Sequence, residues 1–500
     1  MALKSWVTAA LLAATSLSGL AAPLAAKETL VVDFVAEPAS LDPHGQWDVA
    51  SYTVYRNIFD NMLTRDETGA IQPQIATAWT YLSDTEVEFK IRDDVSFHDG
   101  VKLTAKDVAF SVNRMISPDY ASPQNGQFNQ IEKAEAKDDT TVVLTTKGPY
   151  PVLMAQLTKL SIVPEHVAGK VTKEEFNLNP VGSGPYKFSK WTRGVEVLVA
   201  RNDDYWGEKG QFPQASFRSV PDGATRIANI QAGVTDIAAN FDNDLADQLE
   251  ASGEGKVLPV LGERLAFFAL NPAVAPLDDL RIRQAIAHAI DKEGIVEGIL
   301  GGYDAVLNQM TTPVSFGYVE GITAPEYDVE KARALVAEVG DKAKTPFKLL
   351  TTPTYDPRVV QAIQQMLAEV GLTAQIESGD MANWMKLMQS DRQTTPGTAF
   401  GRWSCGCQDA DGVLYSLLNS KSPWASAENA EMDALLEEAR VTIDQDKRLE
   451  LYKRVHEINA EELYMIPLYQ ASVIYGAAKN IDFKPLPNEN LFLNRVRMTE

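Results

Sequence analysis

The chain holds only two cysteines in 500 residues, and they stand one residue apart, as Cys405 and Cys407 in the stretch GRWSCGCQDADG. No disulfide framework can be built from such a pair, so hydrophobic cores must hold the fold. A chain of this length exceeds what one core serves and should divide into two or three lobes. The same restriction applies outside the cytoplasm, because residues 1–26 read as an export signal. MALKSW carries one cation, Lys4, and an apolar small-residue run follows, with cleavage expected after Ala25 or Ala26. The run is too short, and too diluted by Thr, Ser, Gly and Pro, to be a membrane anchor. There is no cysteine near the cleavage point to take a lipid, and no later segment is apolar enough to span a bilayer. Localisation in a bacterial periplasm, free of direct membrane insertion, is the expectation.

Lys and Arg number 46 against 68 Asp and Glu, a net charge of −22 that becomes −23 when Lys4 leaves with the signal. A chain this acidic is repelled by nucleic acid and by anionic lipid, so neither is expected as a partner.

Strand and helix patterns alternate along the mature chain. Leu30–Val35 reads as a strand stopped by Glu37-Pro38, and DTEVEFKIR alternates Val87, Phe89 and Ile91 with polar neighbours as a half-buried strand does. Thr104 and Asp107 resemble a capping box ahead of a helix carrying Val108, Val112 and Met115. Further helical stripes follow Asp278 (Ile282, Ala285, Ile286, Ala289, Ile290) and Pro357 (Val360, Ile363, Leu367, Val370, closed by Gly371). Two more occupy Met432–Ala439 and Leu451–Ile458, with strand-like PFKLLTT and YMIPLY between and after. The pattern is mixed α/β, without internal repeats.

Signs of catalysis are few. The five histidines show no i, i+4 zinc spacing, and there is no Gly-x-Ser-x-Gly elbow or phosphate loop. GSGPY at 182–186 leads into a strand and reads as a turn, and His288 falls beside a helix stripe as a structural residue. Carboxylates abound, but no two are marked as a glycosidase pair, which leaves a secreted hydrolase as the least favoured reading. Three readings of Cys405 and Cys407 stay open: two small, partly buried thiols, a disulfide closing a small strained ring, or part of a metal site. Asp409 and Asp411 are poor companions for soft thiolates, so no metal site is assigned and no cofactor is expected.

A resemblance narrows the function. Ala78-Trp79, Ser83-Asp84, Phe97-His98-Asp99-Gly100, Thr104-Ala105-x-Asp107-Val108 and Phe110-Ser111 are similar to the solute receptors of peptide- and nickel-type ABC importers, the family 5 extracellular solute-binding proteins. So are Ser40-Leu41-Asp42-Pro43, Asn179–Tyr186, Arg201–Gly207, Asn271-Pro272 and Pro276–Asp279 with Arg283-Gln284-Ala285. The resemblance implies a periplasmic-binding-protein type II-like α/β fold, with two lobes on a hinge plus an additional domain. Lobe I would comprise 27–58, 180–265 and 476–500, the additional domain 59–179, and lobe II 266–475. It also implies a monomer that does no chemistry on its solute. The receptor would capture a peptide or peptide-like amino compound between the lobes and deliver it to a membrane permease driven by ATPases. A non-peptide solute of the same importer family (opine, metal chelate, haem or sugar) is the alternative. In this frame the Phe97–Gly100 tetrad is a turn before a helix.

The resemblance also bears on GRWSCGCQDADG. Peptide receptors of the family carry an Asp three residues after a Trp in this loop, pairing with the peptide ammonium in a desolvated cleft. Here Trp403 is present, but that position is Gly406. The implication is a solute without an ammonium there, or an ammonium paired by Asp409, Asp411 or Glu37. Trp403 offers a flat wall, and Gly406 allows close approach to the backbone. Ser404 and Cys405 are compact, Arg402 is a candidate carboxylate partner, and Trp384 is a second candidate wall. Cys405 and Cys407 are expected to form or support the pocket.

Overall fold

In a computed structural model of the chain, residues 27–499 are described; the export signal expected over 1–26 lies outside them. Three large hydrophobic cores organise the chain. One gathers buried residues from Leu30 to Phe59, from Val163 to Ala239 and from Val473 to Val496. A second runs from Met62 to Ile162, and the third from Leu265 to Ala471. A smaller cluster around Ile227, Phe241, Leu249 and Ile474 flanks the first.

One mixed sheet joins the first and third cores. Its strands lie in the order Ala374–Ser378, Phe347–Thr351, Thr398–Trp403, Lys256–Leu270, Met465–Ala477, Ile237–Phe241, Thr29–Phe34, Gln214–Ser219, Glu196–Arg201 and Tyr186–Thr192. The two central strands are long because they serve both cores. Lys256–Leu270 and Met465–Ala477 pair antiparallel along their length, from Lys256 opposite Ala477 to Ala269 opposite Met465. Leu258, Val260, Val473 and Tyr475 pack into the first core, while Leu265–Leu270 and Met465–Ala471 pack into the third. The register breaks between Leu261 and Leu265, at the passage from one core to the other. Such a bulge bends the strand and re-aims its side chains.

The middle core is a separate antiparallel sheet, ordered Ala76–Ser83, Glu86–Ile91, Thr141–Thr146, Ile131–Ala136, backed by the helix Ala105–Ile116. The alternation read in DTEVEFKIR is present, with Val87, Phe89 and Ile91 buried. Asp107 Oδ2 accepts from the Thr104 backbone N–H at 2.9 Å, as a capping box requires. The helix expected after Pro357 spans Pro357–Glu369, and Gly371 beyond it has φ +89°. One detail differs: Asp279 caps Leu280–Ala289, while Asp278 pairs with Lys342 at 2.8 Å. The 182–186 turn is built on close approach, since a Cβ at Gly182 or Gly184 would collide with the Asn57–Ile58 backbone. Phe97–Gly100 is a turn, closed by Gly100 N–H donating to Phe97 O at 2.9 Å.

The architecture is two lobes spanned by a shared sheet with an additional α/β unit, and among the described residues no helix is long and apolar enough to cross a membrane.

Candidate functional site

A cavity of about 430 Å³ lies at the junction of the three cores, walled by residues from the chain segments that carry them. Helix Val49–Tyr55 begins at Asp48, whose carboxylate accepts from Ser51 N–H at 2.9 Å, and ends at Arg56. Strand Leu63–Arg65 brings Arg65, and the turn after Leu153–Leu157 brings Lys159. Glu263 and Arg264 come from the register break between the two long strands. The loop following Thr398–Trp403 closes the far side with Ser404, Cys405, Gly406 and Gln408.

The electrostatics are unusual for a half-sealed cavity. Arg56, Arg65 and Lys159 are all buried, yet none pairs with a carboxylate within 4 Å among the described residues. Arg56 donates to Thr158 O, Arg65 to Gly69 O and Cys407 O (each 2.5 Å), and Lys159 to Gln127 Oε1. Burial pulls the Arg56 guanidinium down to about 10 and the Lys159 ammonium down to about 7, the latter opposed by Glu263 and reinforced by Arg56 and Arg65. Glu263 is shifted the other way. Burial and Glu489 push its carboxyl up, against Arg264, Lys159 and Arg65. Its Oε2 is sealed from solvent and has no hydrogen-bond partner. Arg264, by contrast, is held by Glu489 at 2.6 Å.

The aromatic wall here is Trp47, with Tyr52 at 4.8 Å between ring centroids and Lys159 Nζ 5.2 Å from the ring. Gly406, at φ +63°, packs so closely that a Cβ would lie 3.3 Å from Trp47 Nε1 and 3.7 Å from Glu263 Oε1. An adjoining cavity of about 450 Å³ shares Arg264 and Ser404 and adds Tyr355, Met381, Arg402 and Trp403. On the other face of the loop an apolar chamber of about 550 Å³ includes Ile71, Trp79, Met154, Val314 and Phe316. Arg65 and Gln408 border both this chamber and the charged cavity. Gln408 is 2 % exposed with φ +51°, and neither polar atom of its amide has a partner.

Of the residues singled out from sequence, Ser404, Cys405 and Gly406 line the charged cavity, and Arg402 and Trp403 the adjoining one. Trp403 is half-buried, its Nε1 donates to Gly412 O at 2.9 Å, and its ring meets Trp424 edge-on at 5.1 Å. Cys405 and Cys407 form a disulfide, one of the three readings left open; Cys405 faces the cavity and Cys407 is buried on Val152 and Ala155.

Three expectations are corrected. Trp384 is not a cleft wall: it is 3 % exposed, packed on Tyr355 and Trp424 in the third core. Asp409 is not free for an ammonium, because Arg448 takes both its oxygens at 2.6 and 2.8 Å. Glu37 sits outside these cavities and accepts from the Gly194 backbone N–H at 2.8 Å. Asp411 is half-buried beside Arg440 at 3.1 Å.

Trp47, Arg56, Arg65, Lys159, Glu263 and Gln408 escaped the sequence reading. Lys159 carried a usable signal, a lone cation amid Leu157, Leu160 and Ile162, all buried.

A shared sheet, a bulged crossing and a polar cavity where the cores meet are the build of a two-lobed binding protein. The chain belongs to the bacterial extracellular solute-binding proteins, family 5, whose middle region matches residues 70–424; these are receptors of peptide- and nickel-type ABC importers. Among its relatives is the oligopeptide-binding protein AppA of Bacillus subtilis, 26% identical over 93% of this chain and 90% of that one. The glutathione-binding protein GsiB of Escherichia coli is 27% identical, over 91% of each chain. Among solved structures, the periplasmic binding protein DppA of Helicobacter pylori, in complex with the peptide STSA, superposes with a TM-score of 0.74 at 26% identity, covering 94% of this chain and 98% of that one.

Proposed function

We propose that the chain is a periplasmic receptor that captures a peptide or peptide-like amino compound in the cavity between its lobes and hands it, unaltered, to a membrane permease and its ATPases. The observation that carries this reading is the convergence on one cavity of unpaired charges of both signs, from the segments of the first and middle cores and from the crossing strand, faced by the loop of the third. A solute bearing both ammonium and carboxylate groups supplies the missing partners. The names of the relatives, an oligopeptide- and a glutathione-binding protein, support the same class. In this reading 27–58, 180–265 and 476–500 form lobe I, 59–179 the additional domain and 266–475 lobe II. The paired strands Lys256–Leu270 and Met465–Ala477 act as the hinge, and contacts to solute from both sides favour closure. The loop residues Arg402–Gly406 act as the lobe II wall of the site, and the receptor works as a monomer.

The test is native mass spectrometry of protein purified from a periplasm, with the released solute fragmented. A bound amino compound, recovered with unchanged mass after incubation, is expected. A sugar, a haem or a metal chelate in its place would overturn the reading, and a transformed solute would overturn the receptor role itself.

A further inference from the structure

We propose, resting on the receptor reading above, that the cavity selects short solutes of net negative charge, with Glu263 taking the solute ammonium and the Arg56–Arg65–Lys159 wall taking two or more anionic groups, carboxylates above all.

The acids buried elsewhere in this protein set the comparison. Asp60 accepts from Gln74, Ser183, Tyr205 and Trp206. Asp33 is met by Arg218, Asn229 and Thr235, and Asp42 by Arg114 and Tyr120. These three carboxylates are saturated, as desolvation demands, while Glu489 keeps an ion pair to Arg264 but has its Oε2 sealed without a partner. Glu263 has neither the donors that surround Asp60 nor, among the described residues, a basic side chain within 4 Å. One oxygen is sealed without a partner, and the other lies toward Gly406 and the cavity. Its position explains why: the bulge where the strand passes between cores frees it from the ladder and turns it to the lobe junction. Gly406 contributes by having no side chain, since any Cβ there would press on Trp47 and approach Glu263 Oε1. An ammonium is the group whose charge and donor count suit an isolated carboxylate.

The opposite wall sets the sign of the whole solute. Asp48 is occupied as a helix cap and Arg264 by Glu489. That leaves three cations, Arg56, Arg65 and Lys159, whose only partners are carbonyl or amide oxygens. Against them stands one unpaired anion, Glu263, so the empty cavity holds more positive charge than it neutralises. This occurs in a chain of net charge −22, which repels anions at long range. A solute with one ammonium and several carboxylates pairs every group. A neutral zwitterion leaves cations buried without a counter-charge, a costly arrangement. The volume, about 430 Å³, lies toward the small end of the ~300–1,000 Å³ range of ligand cavities, which confines the class to short solutes.

Lys159 adds a second signature. It faces Glu263, Arg56, Arg65, the Gln127 amide and the Trp47 ring, and it titrates near neutrality when the cavity is empty. Carboxylates arriving beside it favour its charged form, so at pH 8 binding takes up protons from solution.

The experiment is isothermal titration of the mature, ligand-stripped chain with Ala-Glu-Glu, Ala-Gln-Gln and N-acetyl-Ala-Glu-Glu. Ala-Glu-Glu is expected to bind at least thirtyfold tighter than Ala-Gln-Gln, and acetylation to weaken it at least tenfold. In Glu263→Gln the acetylation penalty should fall below threefold, and in Lys159→Gln the acidic-over-neutral preference should shrink at least fivefold. Glu263→Asp, which keeps the charge, serves if Glu263→Gln does not fold, and should retain the penalty. Repeating the Ala-Glu-Glu titration at pH 8 in buffers of different ionisation enthalpy should show proton uptake. Equal affinity for Ala-Gln-Gln overturns the charge selection and leaves the receptor reading intact. An acetylation penalty unchanged in Glu263→Gln removes Glu263 as the ammonium site. Binding of none of the three peptides sinks the peptide-like reading and this proposal with it.

Discussion

Asp409→Asn separates a structural acid from a ligand-binding one. Asp409 holds Arg448 through bonds of 2.8 and 2.6 Å, and the two side chains are 4 % and 0 % exposed. Removing one partner of a buried pair leaves the other charge uncompensated, which costs about 3–5 kcal/mol. The lower end applies here, because Arg448 keeps Tyr452 Oη at 2.8 Å, Ala439 O at 3.1 Å and the faces of Phe316 and Tyr452 near 5 Å. Asp411 relaxes in the same direction: its carboxyl is pushed up to about 6 by burial and by Asp409, and losing that neighbour lets it ionise more readily. For a lobe of roughly 200 residues, an unfolding entropy of about 2.1 cal/mol/K per residue turns ~3 kcal/mol into a fall of about 7 °C in Tm. Thermal unfolding by circular dichroism and titration calorimetry on the same ligand-free preparations form the assay. Adding Arg448→Met should restore most of the loss, since the pair is replaced by packing. A variant that keeps its Tm within 2 °C but loses tenfold or more in affinity would show that Asp409 serves the solute and that this reasoning is wrong.

Trp403→Ala should weaken solute binding at least tenfold, about 1.4 kcal/mol, with the fold retained; unchanged affinity in calorimetry would remove Trp403 from the site. Stability should also fall as pH drops from 6.5 to 4, because His44 and His456, 0 % and 2 % exposed, are held by burial at about 4 while the unfolded chain protonates them near 6.5. The unfolded state then binds up to two more protons than the fold, a slope of up to about 2.7 kcal/mol per pH unit that fades as pH rises past 6.5, and urea midpoints that do not move between pH 7 and 5 would contradict it.

The elements were legible because their signals are local. A capping pair at Thr104 and Asp107, an alternation at Val87, Phe89 and Ile91, or a stripe at Val360, Ile363 and Leu367 each sits within one turn, one strand or one helix. The loop around Trp403 was legible for a similar reason, as a short and compositionally unusual run. The opposite wall was not. Arg56, Arg65, Lys159 and Glu263 lie far apart in sequence and meet only because three cores pack together. Trp384 misled because an aromatic on a helix looks the same in sequence whether its face turns to a cleft or to a core. Asp409 misled because its partner Arg448 stands 39 residues away, on the helix Gln445–Glu462.

The division between saturated and unsaturated buried charge also says how such a cavity gains affinity. Desolvation of Glu263, Arg56, Arg65 and Lys159 has already been incurred in folding, by packing energy from the three cores around them. A solute therefore pays for stripping water from its own charges only, and meets groups already fixed in place, which is how preorganised polar sites bind tightly without large areas. The same arrangement makes the empty protein the less stable form. At a solute concentration a hundred times Kd the bound state is favoured by about 2.7 kcal/mol over the empty one. Because the charges come from lobe I, the additional domain and the bulge, while the uncharged loop residues Ser404, Cys405 and Gly406 close the far side, that energy is delivered at the junction, where it acts on the angle between the lobes rather than on either lobe alone.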